Sequence, residues 1–265
     1  LFATGLVAAL VVLLGSGTAG AWGPVRSTFT MKHPAHYITF NSIIDDPIWG
    51  DERGFTLIKD VTDVASDKQN TGETAAAPKY TEVATAVNNH VYMVRMLVHN
   101  SSADRLKLIS NNTRAMISMP TASSTDSAMI QGIVASDNCN ADNNGNKGNT
   151  CAVWDEAYLR ADGKSFKVAY IAGSGRYYNN VRNFNTNGFT LPDSIFSKDG
   201  AQLGYQAMDG KLQGCFQYSG YVTFLIKVTE EQPKFSLTKQ VRIKGDNTWH
   251  TSVVAKPGQT LEYRL

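Results

Sequence analysis

Two lysines and a run of carboxylates carry the most pointed chemistry in this chain. Lys59 lies in Phe55-Thr-Leu-Ile-Lys-Asp-Val61 and Lys239 in Phe235-Ser-Leu-Thr-Lys-Gln-Val241. Strand alternation puts each lysine on the face of its Phe, Leu and Val. A lysine kept neutral by burial can attack an Asn side chain beside a buried Glu or Asp, forming an amide bond with loss of ammonia. The plainer outcome is a strand-end lysine whose stem lies on apolar surface while its amine reaches water. Asp45-Asp46-Pro-Ile-Trp-Gly-Asp51-Glu52 gathers carboxylates around a Pro/Gly turn. That is a candidate calcium site, calcium being the one cofactor these residues suggest; the alternative is solvated turn chemistry. Asn140-Ala-Asp142-Asn-Asn144-Gly145 also has calcium-loop spacing, but Cys151 stands where an EF-hand needs a bidentate Glu.

Cys139 and Cys151 bracket a polar Asn/Gly/Asp loop. With no Cys-x-x-Cys pair and no His partner they predict a disulfide rather than zinc. Cys215 is left over, either as a small buried apolar residue or as a reactive or intermolecular thiol. Other catalytic patterns are missing. There is no Gly-x-Ser-x-Gly elbow and no His-Glu-x-x-His. Asp155 and Glu156 are neighbours on a strand and point to opposite faces, which is wrong for a glycosidase pair. Trp154, Tyr177 and Tyr178, with Trp49 and Trp249, are candidates for stacking on a sugar, or for ordinary packing.

The elements that must position these groups read as strands. Val91–His99, Thr113–Met119, Ala128–Val134, Val153–Arg160, Phe166–Ile171 and Tyr221–Val228 are apolar or alternating runs separated by Asn, Gly, Asp and Ser. In the first, Tyr92, Val94, Met96 and Val98 form a core face, with Arg95 and His99 on the other. The best local helix starts at Asp193 and stops at Gly200. Short strands with few helices predict an all-β fold, an antiparallel β-sandwich of the immunoglobulin-like or jelly-roll-like kind.

Composition supports an extracellular setting. Charged residues are only 18%, with 25 basic against 23 acidic, intermixed, and no basic stripe for nucleic acid. The chain opens on an apolar run, Leu6–Leu14, with Ala19 and Ala21 at the −3 and −1 positions of a cleavage site. This is the pattern of a secretory signal peptide. An uncleaved apolar helix would make the leader the only membrane contact. The expected organisation is a leader at 1–21, a linker at 22–39, a sandwich at 40–229, an acidic joint at 230–234, and a cut second repeat at 235–265.

The Phe235–Val241 string repeats Phe55–Val61 at Phe, Leu, Lys and Val. Together with Trp249 and Val253-Val-Ala-Lys-Pro-Gly-Gln-Thr-Leu-Glu-Tyr263, it resembles the start of tandem repeats of unknown function on bacterial surface proteins, in which a Lys-x-Val strand precedes Pro-Gly-Asp-x-Val-x-Tyr. Gln259 and Leu261 replace the usual Asp and Val. The resemblance implies immunoglobulin-like modules in a secreted cell-surface protein, with no catalytic residues. The expected function is a non-catalytic stalk or adhesin-type module whose partners are a surface glycan or a host or neighbour-cell protein. The alternatives are a carbohydrate-binding module, a self-assembling filament subunit, and, less favoured, a secreted hydrolase.

Overall fold

The computed structural model describes residues 22–77, 79–180, 188–231 and 237–265. The leader, Phe235 and most of the acidic joint lie outside the described residues. The chain is mostly β, 44% strand and 6% helix, built on a large antiparallel sheet. Among the described residues no helix is long and apolar enough to cross a membrane. Two compact units divide it, Leu1–Glu231 and Gln232–Leu265.

In chain order the strands are β1 (Trp22–Gly23), β2 (Thr56–Asp60), β3 (Val83–Thr85), β4 (Val91–Val98), β5 (Ile109–Ser110), β6 (Arg114–Ser118), β7 (Ser124–Cys139), β8 (Asn149–Tyr170), β9 (Arg176–Asn179), β10 (Phe189–Thr190), β11 (Ala201–Gln202), β12 (Leu212–Gln213), β13 (Gly220–Glu230), β14 (Gln240–Ile243) and β15 (Leu261–Arg264). The large sheet runs β10-β9-β13-β8-β7-β6-β11, with β4 and then β2 continuing from the other edge of β13. β1 and β3 add to β8, and β3 is the parallel exception.

Two stretches expected as separate strands, Val153–Arg160 and Phe166–Ile171, are one strand. β8 pairs with β7 along its first half and with β13 at Phe166–Tyr170. Gly163, at φ +67°, lies between the halves and supplies a backbone conformation that a side chain would resist. Val153, Asp155, Ala157 and Leu159 are buried, while Trp154, Glu156 and Tyr158 are half-exposed. This alternation is that of a sheet with one core face.

The sheet folds over on itself in a sandwich-like arrangement. Gly132 marks the contact between layers: a Cβ there would sit 2.5 Å from Thr56 Oγ1 and 2.6 Å from Met96 Sδ. The main core is filled by Phe40, Phe55, Ile58, Val94, Ile130, Leu159, Phe166 and Phe224, among others. Each such side chain contributes about 1.5–3 kcal/mol through burial.

β4 departs from the half-wet strand expected of it. Every residue from Tyr92 to Val98 is buried, Arg95 included. Its second face is covered by a separate apolar cluster that includes Val61, Ala75, Met93, Tyr178 and Tyr221. Residues 22–39 pack onto this unit, with Ala35 and Ile38 buried and Trp22 paired with Asp155. The helix expected from Asp193 is a single 3-10 turn, Asp193–Phe196. In the second unit β14 and β15 form a hairpin, and Arg242 and Arg264 lie 4.4 and 4.8 Å from the Trp249 ring. Leu237–Lys239 stay outside β14, and Leu237 is exposed.

Candidate functional site

A groove of about 690 Å³ opens beside the 3-10 turn, between β6 and the far half of β8. β6 ends at Ser118 because Met119-Pro120 follows, and proline cannot donate to a ladder. β11 covers the outer edge of β6 only at Arg114 and Ala115. Gly200, at φ +69°, turns the chain away there. Across the gap β7 begins at Ser124, opposite Phe166, so Lys167–Tyr170 extend past its start. Pro192 leads into the 3-10 turn, and buried Ile195 anchors it.

The floor is apolar: Met116, Ile117, Met119, Ile133, Val168 and Phe196. Tyr170 and Phe196 have ring centroids 4.3 Å apart. The Tyr170 hydroxyl donates to Asp193 Oδ1 at 2.9 Å and accepts from the Gly175 amide at 3.1 Å. Burial, more than any neighbour, raises the pKa of this phenol, so it stays a neutral donor. Lys167 and Lys198 stand exposed on the rim. Among the described residues no carboxylate pairs with either. No Cys or His lines the groove. The groove presents an apolar floor, two exposed lysines and one carboxylate committed to Tyr170.

Among the described residues, three further buried polar clusters stand out. Glu52 is fully buried, and its Oε1 is 2.6 Å from Nδ1 of His99. Among the described residues His99 Nε2 has no hydrogen-bond partner, and the ring meets Phe216 edge-on. Arg95 lies 4.2 Å from the Trp49 ring and 3.9 Å from Tyr80, and donates to the Ala75 carbonyl at 2.9 Å. Desolvation lowers its pKa. This is an occupied aromatic box, filled by the protein's own cation. Asp155 is the third: its Oδ2 accepts from the Thr56 amide at 2.5 Å, while among the described residues no hydrogen-bond partner meets its Oδ1 or Thr56 Oγ1. Burial, with a smaller contribution from Glu82 nearby, pushes its pKa up to about 7.

The sequence-predicted residues are dispersed. Cys139 and Cys151 form the disulfide, Cα atoms 5.8 Å apart. The four clustered carboxylates have separate partners. Asp45 accepts from the Met31 amide, Asp46 from Ile48 and Trp49, Asp51 binds Arg53, and Glu52 holds His99. Among the described residues no group of three His, Cys, Asp or Glu side chains is placed to hold a metal.

Tyr177 and Tyr178 are fully buried, with Tyr178 donating to the Asn70 carbonyl. Their rings are packing, not a stacking platform at the surface. Trp154 is half-exposed, its indole lying over Gly23, where a Cβ would come within 2.3 Å. Lys59 is half-buried with its amine 5.6 Å from the Tyr80 ring, and Lys239 is exposed, 4.5 Å from the Tyr263 ring. Neither is enclosed by a core as amide-bond formation with an Asn side chain requires. Cys215 is a half-buried free thiol at φ +117°. Asp155 and Glu156 do point apart, Glu156 accepting from Gln131 and Tyr158 on the far face.

Sequence reasoning did not single out Tyr170, Phe196, Lys167 or Lys198. The available signal was a pair of prolines, Pro120 and Pro192, each ending an extended run beside apolar residues. Comparison with known protein families, curated proteins and solved structures gives no match for this chain.

Proposed function

We propose that this chain is an exported, non-catalytic module displayed at a cell surface, a β-sandwich whose working part is the groove beside β6. The observation that carries the reading is the Cys139–Cys151 disulfide on a chain that opens with a secretory pattern. Disulfides persist in oxidising compartments and are rare in the cytosol. In this reading residues 235–265 belong to an immunoglobulin-like repeat of the kind found in tandem on bacterial surface proteins, and the first unit carries the binding groove. A sugar-binding role is the second reading. It is favoured by the Tyr170–Phe196 ring pair beside polar groups in the groove wall.

The test is location and redox state together. Full-length protein expressed in a bacterial host is probed on intact cells with a membrane-impermeant amine label, and its disulfide is read by non-reducing mass spectrometry. Surface labelling with Cys139 and Cys151 bridged is expected. Cytosolic protein with both thiols reduced overturns the reading. A glycan array decides between the protein-partner and sugar-partner forms.

A further inference from the structure

We propose that the groove between β6 and β8 is an acceptor for an extended, acidic peptide strand from a partner protein, captured by β-augmentation. The direction of the backbone groups carries the argument. The Leu203 amide donates to the Thr113 carbonyl, and Ala201 pairs with Ala115 in the same register. The Ala115 carbonyl also lies 2.6 Å from the Cβ position of Gly200. Groups on alternate residues of a strand point to the same edge. The next residue in this series is Ile117, so its N–H and C=O point outward, past the end of β11 and into the groove.

β8 gives the matching result. The Glu231 amide donates to the Ser165 carbonyl and the Ile171 amide to Leu225, so odd-numbered residues of this half face β13. Val168 and Tyr170 therefore turn their N–H and C=O to the opposite edge, where β7 has not yet begun. No hydrogen bond among the described residues takes up these groups. The groove thus has unpaired strand edge on both walls. Unpaired edges are templates for another chain, and native proteins usually cover or blunt them.

The floor and rim define the partner. Lys167–Tyr170 span about 13 Å, room for roughly four residues of strand. Side chains alternate along that strand, so every second one would sit on Met116, Met119, Ile133 and Phe196. Among the described residues Lys167 and Lys198 are exposed without ion partners, as is Lys227, the β13 residue paired with Ala169. Opposite charge at the ends of the peptide complements them. A glycan would use the Tyr170–Phe196 wall but would leave the aligned strand edges without a role.

The test uses the full chain and a synthetic peptide, acetyl-Glu-Val-Thr-Val-Thr-Val-Glu-amide. Controls are the same peptide N-methylated at alternate amides and a version with Lys at both ends. Binding is read by fluorescence anisotropy, and the amides of Ile117, Val168 and Tyr170 are followed by hydrogen exchange. Saturable micromolar binding that protects these amides is expected, weakened at least about tenfold by N-methylation. The double variant Lys167→Glu with Lys198→Glu, both exposed, should lose about tenfold toward the acidic peptide and gain toward the basic one. Equal binding of the N-methylated peptide overturns the proposal, as does no binding up to roughly 1 mM. Protection of the same amides by oligosaccharides and not by peptide also overturns it. The proposal relies on display only for where the partner is met; a surface-located chain that ignores the peptide leaves the display reading intact.

Discussion

Asp155 concentrates the tension between burial and charge in this protein. Its carboxyl is enclosed where β2 meets β8, with one oxygen held by the Thr56 amide and the other without a hydrogen-bond partner among the described residues. The charged groups that face it are Glu82, which disfavours ionisation, and Arg26, which favours it. Arg26 is itself committed to the Asn41 carbonyl at 2.7 Å, and its own pKa is lowered to about 10, chiefly by burial. The folded pKa of Asp155 is raised from 3.8 to about 7. The stabilising contribution is therefore complete below pH 4 and is lost as pH rises through about 7. A shift of this size amounts to a few kcal/mol at most. Urea midpoints measured from pH 5 to pH 8 should fall for the native chain and stay nearly level for Asp155→Asn. A native midpoint that does not move over this window would remove the account.

At the scale of elements, the β7–β8 hairpin is the spine, and the disulfide clamps its turn. Cys139 is buried and Cys151 half-buried, and Asn149 pairs with Cys139 across the register shift. Closing a loop with a sequence separation of 12 is worth about 3 kcal/mol in the chain-entropy picture. Cys139→Ser with Cys151→Ser should lower unfolding stability by about that amount without changing the β signal in circular dichroism. A stability loss below about 0.5 kcal/mol would show that the loop is already ordered in the unfolded chain.

At the scale of the whole molecule, protection should be uneven. β4 lies between β2 and β13 with both faces covered, whereas the β14–β15 pair is a two-stranded hairpin with mostly exposed or half-exposed side chains. Two strands without a covered face are marginal in water. Amide exchange should be slowest at Val94–Leu97 and Phe224–Ile226 and nearly unprotected at Gln240–Ile243. Comparable protection in the two units would mean that the hairpin draws stability from contacts outside itself.

The disulfide and the strand-dominated architecture were legible in the residues, because both follow from local signals. These are cysteines bracketing a polar loop and short apolar runs separated by turn formers. The opposed faces of Asp155 and Glu156 were legible for the same reason, whereas the helix expected from Asp193 to Gly200 is only a 3-10 turn entered from Pro192. What covers each face was not. Period-two alternation says that Arg95 and Tyr92 point apart, but whether the Arg95 face meets water depends on a distant segment, which here brings Val61, Ala75 and Tyr80 onto it. Tyr177 and Tyr178 are adjacent and both buried, which requires cover on two sides at once. The groove is more remote still. It exists because β11 stops short along β6 and β7 starts late along β8, and unpaired edges are a property of registry between strands. Residue types and spacing determined which segments extend and where the chain is bridged. The tertiary structure alone decided which backbone groups remained without a partner.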